Sequence, residues 1–214
     1  GGVKGDMDVL ITGAEGFIGK NLTVHLKELG LKPLVYTRNN STEDLADLIE
    51  KSEFIVHLAG ENRPVNEGSF DAVNAGLTLK ICELVGGSGK NKPIILASST
   101  QASSDTAYGK SKLKAEFILK RFSKETGNTI YICRLPGVFG KWCKPNYNSV
   151  VATFCHNIAN ELPITINEQR SKLSLVYIDD VCNSFIDLIK KGSGDRYKSV
   201  SPVYHTTVGE VAKL

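Results

Sequence analysis

Apolar positions along the chain follow two alternating rhythms. Short, almost continuously apolar runs rich in β-branched residues occur at "DVLIT" (8–12), "LVYT" (34–37), "FIVHLAG" (54–60), "PIILASS" (93–99) and "TIYICRL" (129–135). Between them, apolar residues recur every three or four positions over about 16–29, 43–51, 68–85 and 108–125, which predicts helices. Strands apolar on both faces and separated by helices form a parallel sheet covered on both sides, so a doubly wound α/β domain is expected. Past residue 140 the rhythm loosens. A loop "GKWCKPNYNS" (140–149), a helix to about 160, strands near 163–167 and 173–178, a helix from Asp179 to about 190 and a strand near 197–200 are expected. "GGVKGD" before Met7 reads as a vector scar. "HTTVGEVAKL" reads as a helix start, with Thr206 or Thr207 as cap and Val208, Val211 and Leu214 at helical spacing, so the natural chain is expected to continue.

The segment opening "AYGKSK" is the most informative helix. Wound at about 100° per residue, it sets Ala115, Ile118, Leu119 and Phe122 in a stripe around Tyr108. Lys110, Lys114, Lys120, Arg121 and Lys124 fall on the far side. Of the basic residues, Lys112 alone joins the apolar stripe, one turn after Tyr108. A lysine snorkelling beside a tyrosine gives this pattern. So does a tyrosine serving as an acid or base beside a tuning cation.

Composition narrows the class. The 214 residues suffice for one good core, or one domain and a small lobe. No run approaches the roughly 20 apolar residues that span a bilayer, and no secretory signal precedes the first strand, so a cytoplasmic protein is expected. The charge of +3 comes from 26 basic and 23 acidic residues dispersed along the chain, without a nucleic-acid patch. Cysteines 82, 133, 143, 155 and 182 show no paired spacing and the four histidines are scattered, so no metal site is expected.

Directly after the first strand, "TGAEGFIGKNL" places Gly13, Gly16 and Gly19 three apart, with Phe17 and Ile18 between the last two. Such glycines permit a tight turn, close approach to a pyrophosphate and close helix–strand packing, while the helix N-terminus offers free N–H groups to an anion. With a strand before and a helix after, this predicts a Rossmann-type dinucleotide site. After the second strand, where an acidic residue would accept from the ribose of NAD, stands Arg38. A cation there suits a 2′-phosphate, which favours NADP, in use NADPH.

With "TGAEGFIG", "HLAG", "SST", "YGKSK", "RLPGVFG" and "VYIDDV" in this order, the chain from Met7 onward resembles the extended short-chain dehydrogenase/reductases, the family of nucleotide-sugar epimerases, dehydratases and reductases. "HLAGENRP", "QASSDTAYGKSK" and "FGKWCKPNYNSVVATFC" resemble the reductase portion of the CapF-type capsular polysaccharide enzymes, whose full length adds a C-terminal cupin domain. The resemblance implies NADPH-dependent reduction of a 4-keto, 6-deoxy UDP-N-acetyl sugar. It assigns Tyr108 and Lys112 to the family's Tyr-x-x-x-Lys pair, and Ser99, with Thr100 as competitor, to the hydroxyl that bonds the substrate carbonyl. A carbonyl receiving hydride needs a proton donor at its oxygen. Free tyrosine, with a pKa of about 10, gives its proton reluctantly, and a lysine ammonium would lower that value.

By the same resemblance Leu58, Ala59 and Gly60 pass the cofactor's ribose and pyrophosphate, Pro136 and Val138 lie against the nicotinamide, and Asn74 bonds backbone near the site. Arg63, Lys144, Asn146 and Asn148 are candidate sugar-nucleotide ligands. Arg63 reads equally as a surface arginine, and His57 as a hydrogen-bonded core residue. Residues 7–140 form the expected cofactor domain with 173–190 packed on it, and 141–214 a truncated substrate lobe. Gln101 and Ala102 stand where dehydratases carry Asp-Glu, which argues against water elimination. Gly137 and Lys141 depart from the family's "RPxNVYGP". An NAD-dependent epimerase and a non-catalytic NADP-binding regulator are the alternatives. Leu113 and Phe117 lie on the otherwise basic face of the tyrosine helix, where relatives pair, so a homodimer is expected.

Overall fold

The computed structural model describes residues 7–60, 74–147, 149–192 and 196–214. Six parallel strands form the main sheet in the order β2-β1-β3-β4-β5-β8: β1 (Asp8–Thr12), β2 (Lys32–Tyr36), β3 (Phe54–His57), β4 (Ile94–Ser99), β5 (Ile130–Leu135) and β8 (Tyr197–Lys198). A second sheet, β6-β7-β9, joins Gly137–Phe139 in parallel to Lys172–Tyr177, which pairs antiparallel with Tyr204–Thr207.

The pleat explains why the strand sequences are apolar throughout. On β1, Val9 and Ile11 enter one core with residues of helices α1 (Phe17–Glu28) and α6 (Ile178–Lys191). Leu10 enters the other with residues of α2 (Thr42–Lys51), α3 (Gly76–Ser88) and α4 (Ala107–Thr126). Successive side chains point to opposite faces, so a sheet buried on both sides needs apolar residues at consecutive positions. From β1 the chain moves one way to β2 and then the other way to β3. The carboxyl ends of β1 and β3 therefore flank the crevice where doubly wound sheets take their ligands.

Several elements differ from expectation. Residues 163–167 form no strand: the segment is irregular, and Asn157 donates from its side-chain amide to the Pro163 carbonyl. Backbone groups satisfied locally leave no ladder to extend. The last parallel strand is only two residues long, with Val200 buried just after it. "GVF" forms β6, unforeseen because Pro136 and Gly137 read as a strand end. The third helix reaches Ser88, and α6 begins one residue early, at Ile178. Between α5 (Val150–Ala159) and α7 (Val208–Val211) the smaller sheet is completed, with Thr207 as the cap of α7 while Thr206 pairs in β9. Residues 68–73 of the predicted third helix, Arg63 and Asn148 lie outside the described residues. Among the described residues no helix is long and apolar enough to cross a membrane.

Candidate active site

Each glycine of the first turn has its own steric reason. Gly13 has φ +73°, and a Cβ there would stand 2.7 Å from the Ala59 nitrogen, so the turn leaving β1 lies directly on the segment leaving β3. A Cβ on Gly19 would overlap the Gly13 carbonyl. Gly16 is the N-cap of α1; it supplies no side-chain cap, and no acidic residue occupies the first turn. The helix thus starts with N–H groups and a positive dipole end, with no carboxylate in its first turn. Phe17 and Ile18 are half-buried against the α1 core. Arg38 is exposed in the turn after β2, a turn shaped by the Asn40 carboxamide, which accepts from Thr37 N–H at 2.8 Å.

The second half of the site is built at the end of β4. Ser99 closes that strand, a 3₁₀ turn follows over Thr100–Ser103, and Thr106 caps α4 by accepting from Gly109 N–H at 3.0 Å. Gly109 has no room for a Cβ, which would stand 2.8 Å from the Ser104 carbonyl oxygen. The helix start is therefore seated on the turn, and Tyr108 meets Ser99 in a side-chain hydrogen bond. Of the two candidate hydroxyls it is Ser99 that contacts Tyr108, while Thr100 is exposed in the turn. The Lys112 ammonium lies 5.6 Å from the Tyr108 ring centroid. Only 8% of Lys112 is exposed. A Cβ on Gly60 would stand 2.9 Å from both Lys112 Nζ and Asn74 Oδ1, so the missing side chain at Gly60 leaves a corner into which the ammonium fits.

Burial sets the electrostatics of the pair. Burial holds Lys112 down at about 8. Burial also raises Tyr108, against the opposing hydrogen bond from Ser99, and the nearby Tyr147 phenol raises it further. Burial is the largest of these influences, so in the chain itself the phenol is held above its ordinary value. At neutral pH Tyr108 is a protonated phenol, ready to donate.

Pro136 follows Leu135, the partner of Ser99 in the β4–β5 register, and Val138 pairs with Val176. Leu58 and Ala59 lie against β1: Leu58 N–H donates to the Thr12 carbonyl and Ala59 N–H to the Thr12 hydroxyl, at 3.1 and 3.2 Å. In the loop after β6, Lys144 and Asn146 are exposed. Asn146 has φ +55°, and its N–H donates to Thr153 Oγ1 at 2.8 Å, so its identity suits a left-handed turn as much as a ligand. Tyr147, which sequence reading passed over, is the loop residue felt at Tyr108.

Asn21 was missed too. Its buried carboxamide donates at 2.9 Å to the Phe17 carbonyl and at 2.9 Å to the Lys141 carbonyl, clamping this loop to the helix of the glycine turn. Asn21→Ala is expected to lower stability by about 1–2 kcal/mol and to raise the KM of whatever the loop binds, read by thermal melts and steady-state kinetics.

A profile of the NAD-dependent epimerase/dehydratase family matches residues 9–200. The chain belongs to that family. It is 46% identical to a UDP-2-acetamido-2,6-beta-L-arabino-hexul-4-ose reductase of Pseudomonas aeruginosa strain PA103, over 97% of this chain and 56% of the relative. The crystal structure of the capsular polysaccharide assembling protein CapF from Staphylococcus aureus is similar at a TM-score of 0.87 and 39% identity, covering 97% of this chain and 57% of that one. A UDP-N-acetylglucosamine 4-epimerase from Methanobrevibacter ruminantium M1 shares the fold at a TM-score of 0.85 with 18% identity, over 97% of this chain and 80% of that one. The chain spans little more than half the length of the first two relatives.

The glycine turn and the Ser99–Tyr108–Lys112 group lie at the same, carboxyl end of the sheet. A cavity of about 620 Å³ opens at the opposite end, among Met7, Glu53 and Lys92. Its buried lysine is already committed, donating to the carbonyls of Glu50 and Ser52, so it offers no chemistry of its own.

Proposed function

We propose that this chain carries out NADPH-dependent reduction of the 4-keto group of a 6-deoxy UDP-N-acetylhexose, a cytoplasmic step toward a surface polysaccharide precursor. The observation that carries the reading is the Ser99–Tyr108–Lys112 group beside the glycine turn, supported by likeness to a relative named as a hexul-4-ose reductase. The residues present fit a dinucleotide: an uncapped helix start at Gly16 for the pyrophosphate, and the Gly60 corner for a ribose hydroxyl against Lys112.

When bound, NADPH supplies the hydride. The chain does the rest. The Ser99 hydroxyl bonds the sugar carbonyl oxygen and fixes it beside Tyr108. As negative charge grows on that oxygen, the Tyr108 hydroxyl gives up its proton to it. The Lys112 ammonium then stabilises the tyrosinate and anchors the ribose hydroxyls. Leu58, Ala59, Gly60, Pro136 and Val138 line the cofactor, with Phe17 and Ile18 at the pyrophosphate turn. Residues 141–214, apart from α6, which packs on the main sheet, and β8, which belongs to it, act as the substrate lobe. Thr100 just after β4 and Lys144 and Asn146 in that lobe are the proposed sugar-nucleotide contacts, with Arg63 and Asn148 outside the described residues.

NADP is the favoured cofactor because Arg38 offers a cation to a 2′-phosphate. Arg38→Asp is expected to weaken NADPH binding about tenfold or more, as loss of a charge-assisted contact does, while sparing NADH. An unchanged preference in a binding titration would remove Arg38 from the account. We also propose a homodimer through α3 and α4, where Leu79, Leu113 and Phe117 are exposed at 48, 43 and 63%. Light scattering should give twice the chain mass, and Phe117→Glu should return a monomer.

The reaction is tested by incubating the protein with NADPH and a 4-keto UDP-sugar while following the cofactor's near-ultraviolet absorbance. Oxidation supports a reductase. Sugar interconversion without net oxidation would instead mean an epimerase, and silence a binding protein.

A further inference from the structure

Beneath the site, five polar side chains run in file through an otherwise apolar interior. Thr12, His57, Asn74, Thr78 and Ser111 are all at most 2% exposed. Ala59 N–H donates to Thr12 Oγ1 at 3.2 Å, and Thr12 Oγ1 and His57 Nδ1 are hydrogen-bonded at 2.7 Å. At the far side Thr78 Oγ1 donates to the Asn74 carbonyl at 2.7 Å and must accept from His57 Nε2–H at 2.9 Å. A neutral His57 with its proton on Nε2 satisfies both ring nitrogens, Nδ1 then accepting from the Thr12 hydroxyl. Burial agrees, holding the imidazole down at about 3 with the Lys112 charge adding to the effect. From Asn74 the file continues: its amide donates to Ser111 Oγ at 3.0 Å, and Ser111 donates to the Tyr108 carbonyl at 2.8 Å.

A fold alone has no use for this. Phe54, Ile55 and Val56 fill the rest of β3 with apolar groups, and a fourth would avoid the desolvation of an imidazole and two hydroxyls. Every member is instead satisfied, the condition under which a buried polar network fixes geometry. One end stops at the Ala59–Gly60 turn and the other at the corner shared by Asn74 and Lys112.

We propose that His57 is a positioning residue: an uncharged spacer that holds the Ala59–Gly60 turn and the Asn74–Lys112 corner at one separation, so that the two surfaces receiving the dinucleotide act as a unit. This rests on the dinucleotide site proposed above and adds a residue to it that touches neither cofactor nor substrate.

The test is a double-mutant cycle on NADPH affinity, measured by titration and needing no turnover. Thr78→Val keeps the shape and cuts the file between His57 and Asn74. It is expected to weaken NADPH about tenfold, the effect of one lost hydrogen bond in a buried network. In a Lys112→Met background the same change should cost less than about twofold, because the group through which it acts is gone. His57→Phe should weaken NADPH more than Thr78→Val, since it also releases the Ala59 turn; if that variant does not fold, the Thr78 cycle decides. The proposal is overturned if Thr78→Val leaves NADPH affinity unchanged, or weakens it equally in both backgrounds. A protein that binds NADPH but reduces no keto sugar would sink the proposed reaction and leave this cycle readable. One that binds neither NADPH nor NADH sinks both.

Discussion

Tyr108→Phe should lower kcat for keto-sugar reduction by about 10²–10⁴-fold, the range that a positioned proton donor contributes, with NADPH affinity within about threefold of the parent. The separation of these two effects follows from where the hydroxyl points. It meets Ser99 at the end of β4, whereas the turn proposed for the pyrophosphate lies at Gly13–Gly19 and the corner proposed for the ribose at Gly60 and Lys112. Removing the oxygen deletes the proton source and one partner of Ser99 and leaves the dinucleotide surfaces in place. The ring stays half-buried. Stability should therefore fall by only about 1 kcal/mol, one net hydrogen bond. Steady-state kinetics, an NADPH titration and a thermal melt check the three parts.

Lys112→Met should act in two opposite directions. Activity should fall by about 10²-fold or more, as losing the charge that stabilises tyrosinate implies, and NADPH should bind more weakly. The cofactor-free protein should nonetheless become more stable. Burial lowers the Lys112 pKa from 10.5 to about 8, which means that the folded state disfavours its charge. Below pH 8 the lysine is protonated in both folded and unfolded chains, and the cost of burying the charge is fully present. Between about 8 and 10.5 the folded chain releases its proton while the unfolded chain keeps it, so stability gained from this group rises with pH. The methionine variant escapes that cost, on the order of 3 kcal/mol at neutral pH. Its advantage in melting temperature should be widest below pH 8 and shrink toward pH 10. Saturating NADPH should reduce or reverse the difference, because bound cofactor stabilises the parent more. A more stable but inactive methionine variant would mark the lysine as one kept at a cost in stability, a trade found where sites carry buried charge.

The scaffold was legible because its signals are local. Runs such as "FIVHLAG" and "PIILASS" need burial on both faces, and that requirement alone implies a parallel sheet between helices. The glycine turn was legible for the same reason, since Gly13, Gly16 and Gly19 each answer to a contact within the turn or to the neighbouring strand end. Tyr108 and Lys112 could be paired from helical spacing.

What escaped sequence reading depends on chain segments far apart. Asn21 reaches across 120 residues to the Lys141 carbonyl, and no pattern in "GFIGKNL" announces it. Glu116 looked like an ordinary helix residue, yet it is fully buried, accepting from Arg134 Nε and Nη2 at 2.8 and 2.7 Å and from Ser98 at 2.6 Å. That ion pair ties the tyrosine helix to β4 and β5. Gly109 was in plain view inside "AYGKSK", and a glycine in the first turn of a helix that has no backbone need for one was the available clue. Burial of the Tyr108 phenol, which raises it, could not be read from helical spacing.

The central claim is that hydride arrives at the carbon whose oxygen Tyr108 protonates. NADPH deuterated at its transferable position, incubated with the protein and a 4-keto 6-deoxy UDP-N-acetylhexose, measures this directly. Mass spectrometry and NMR of the sugar should find one deuterium at C4, appearing about 10²–10⁴-fold more slowly when Tyr108→Phe is used. Cofactor consumed with no deuterium in the sugar, or an epimerised sugar with the label still on the cofactor, would contradict it.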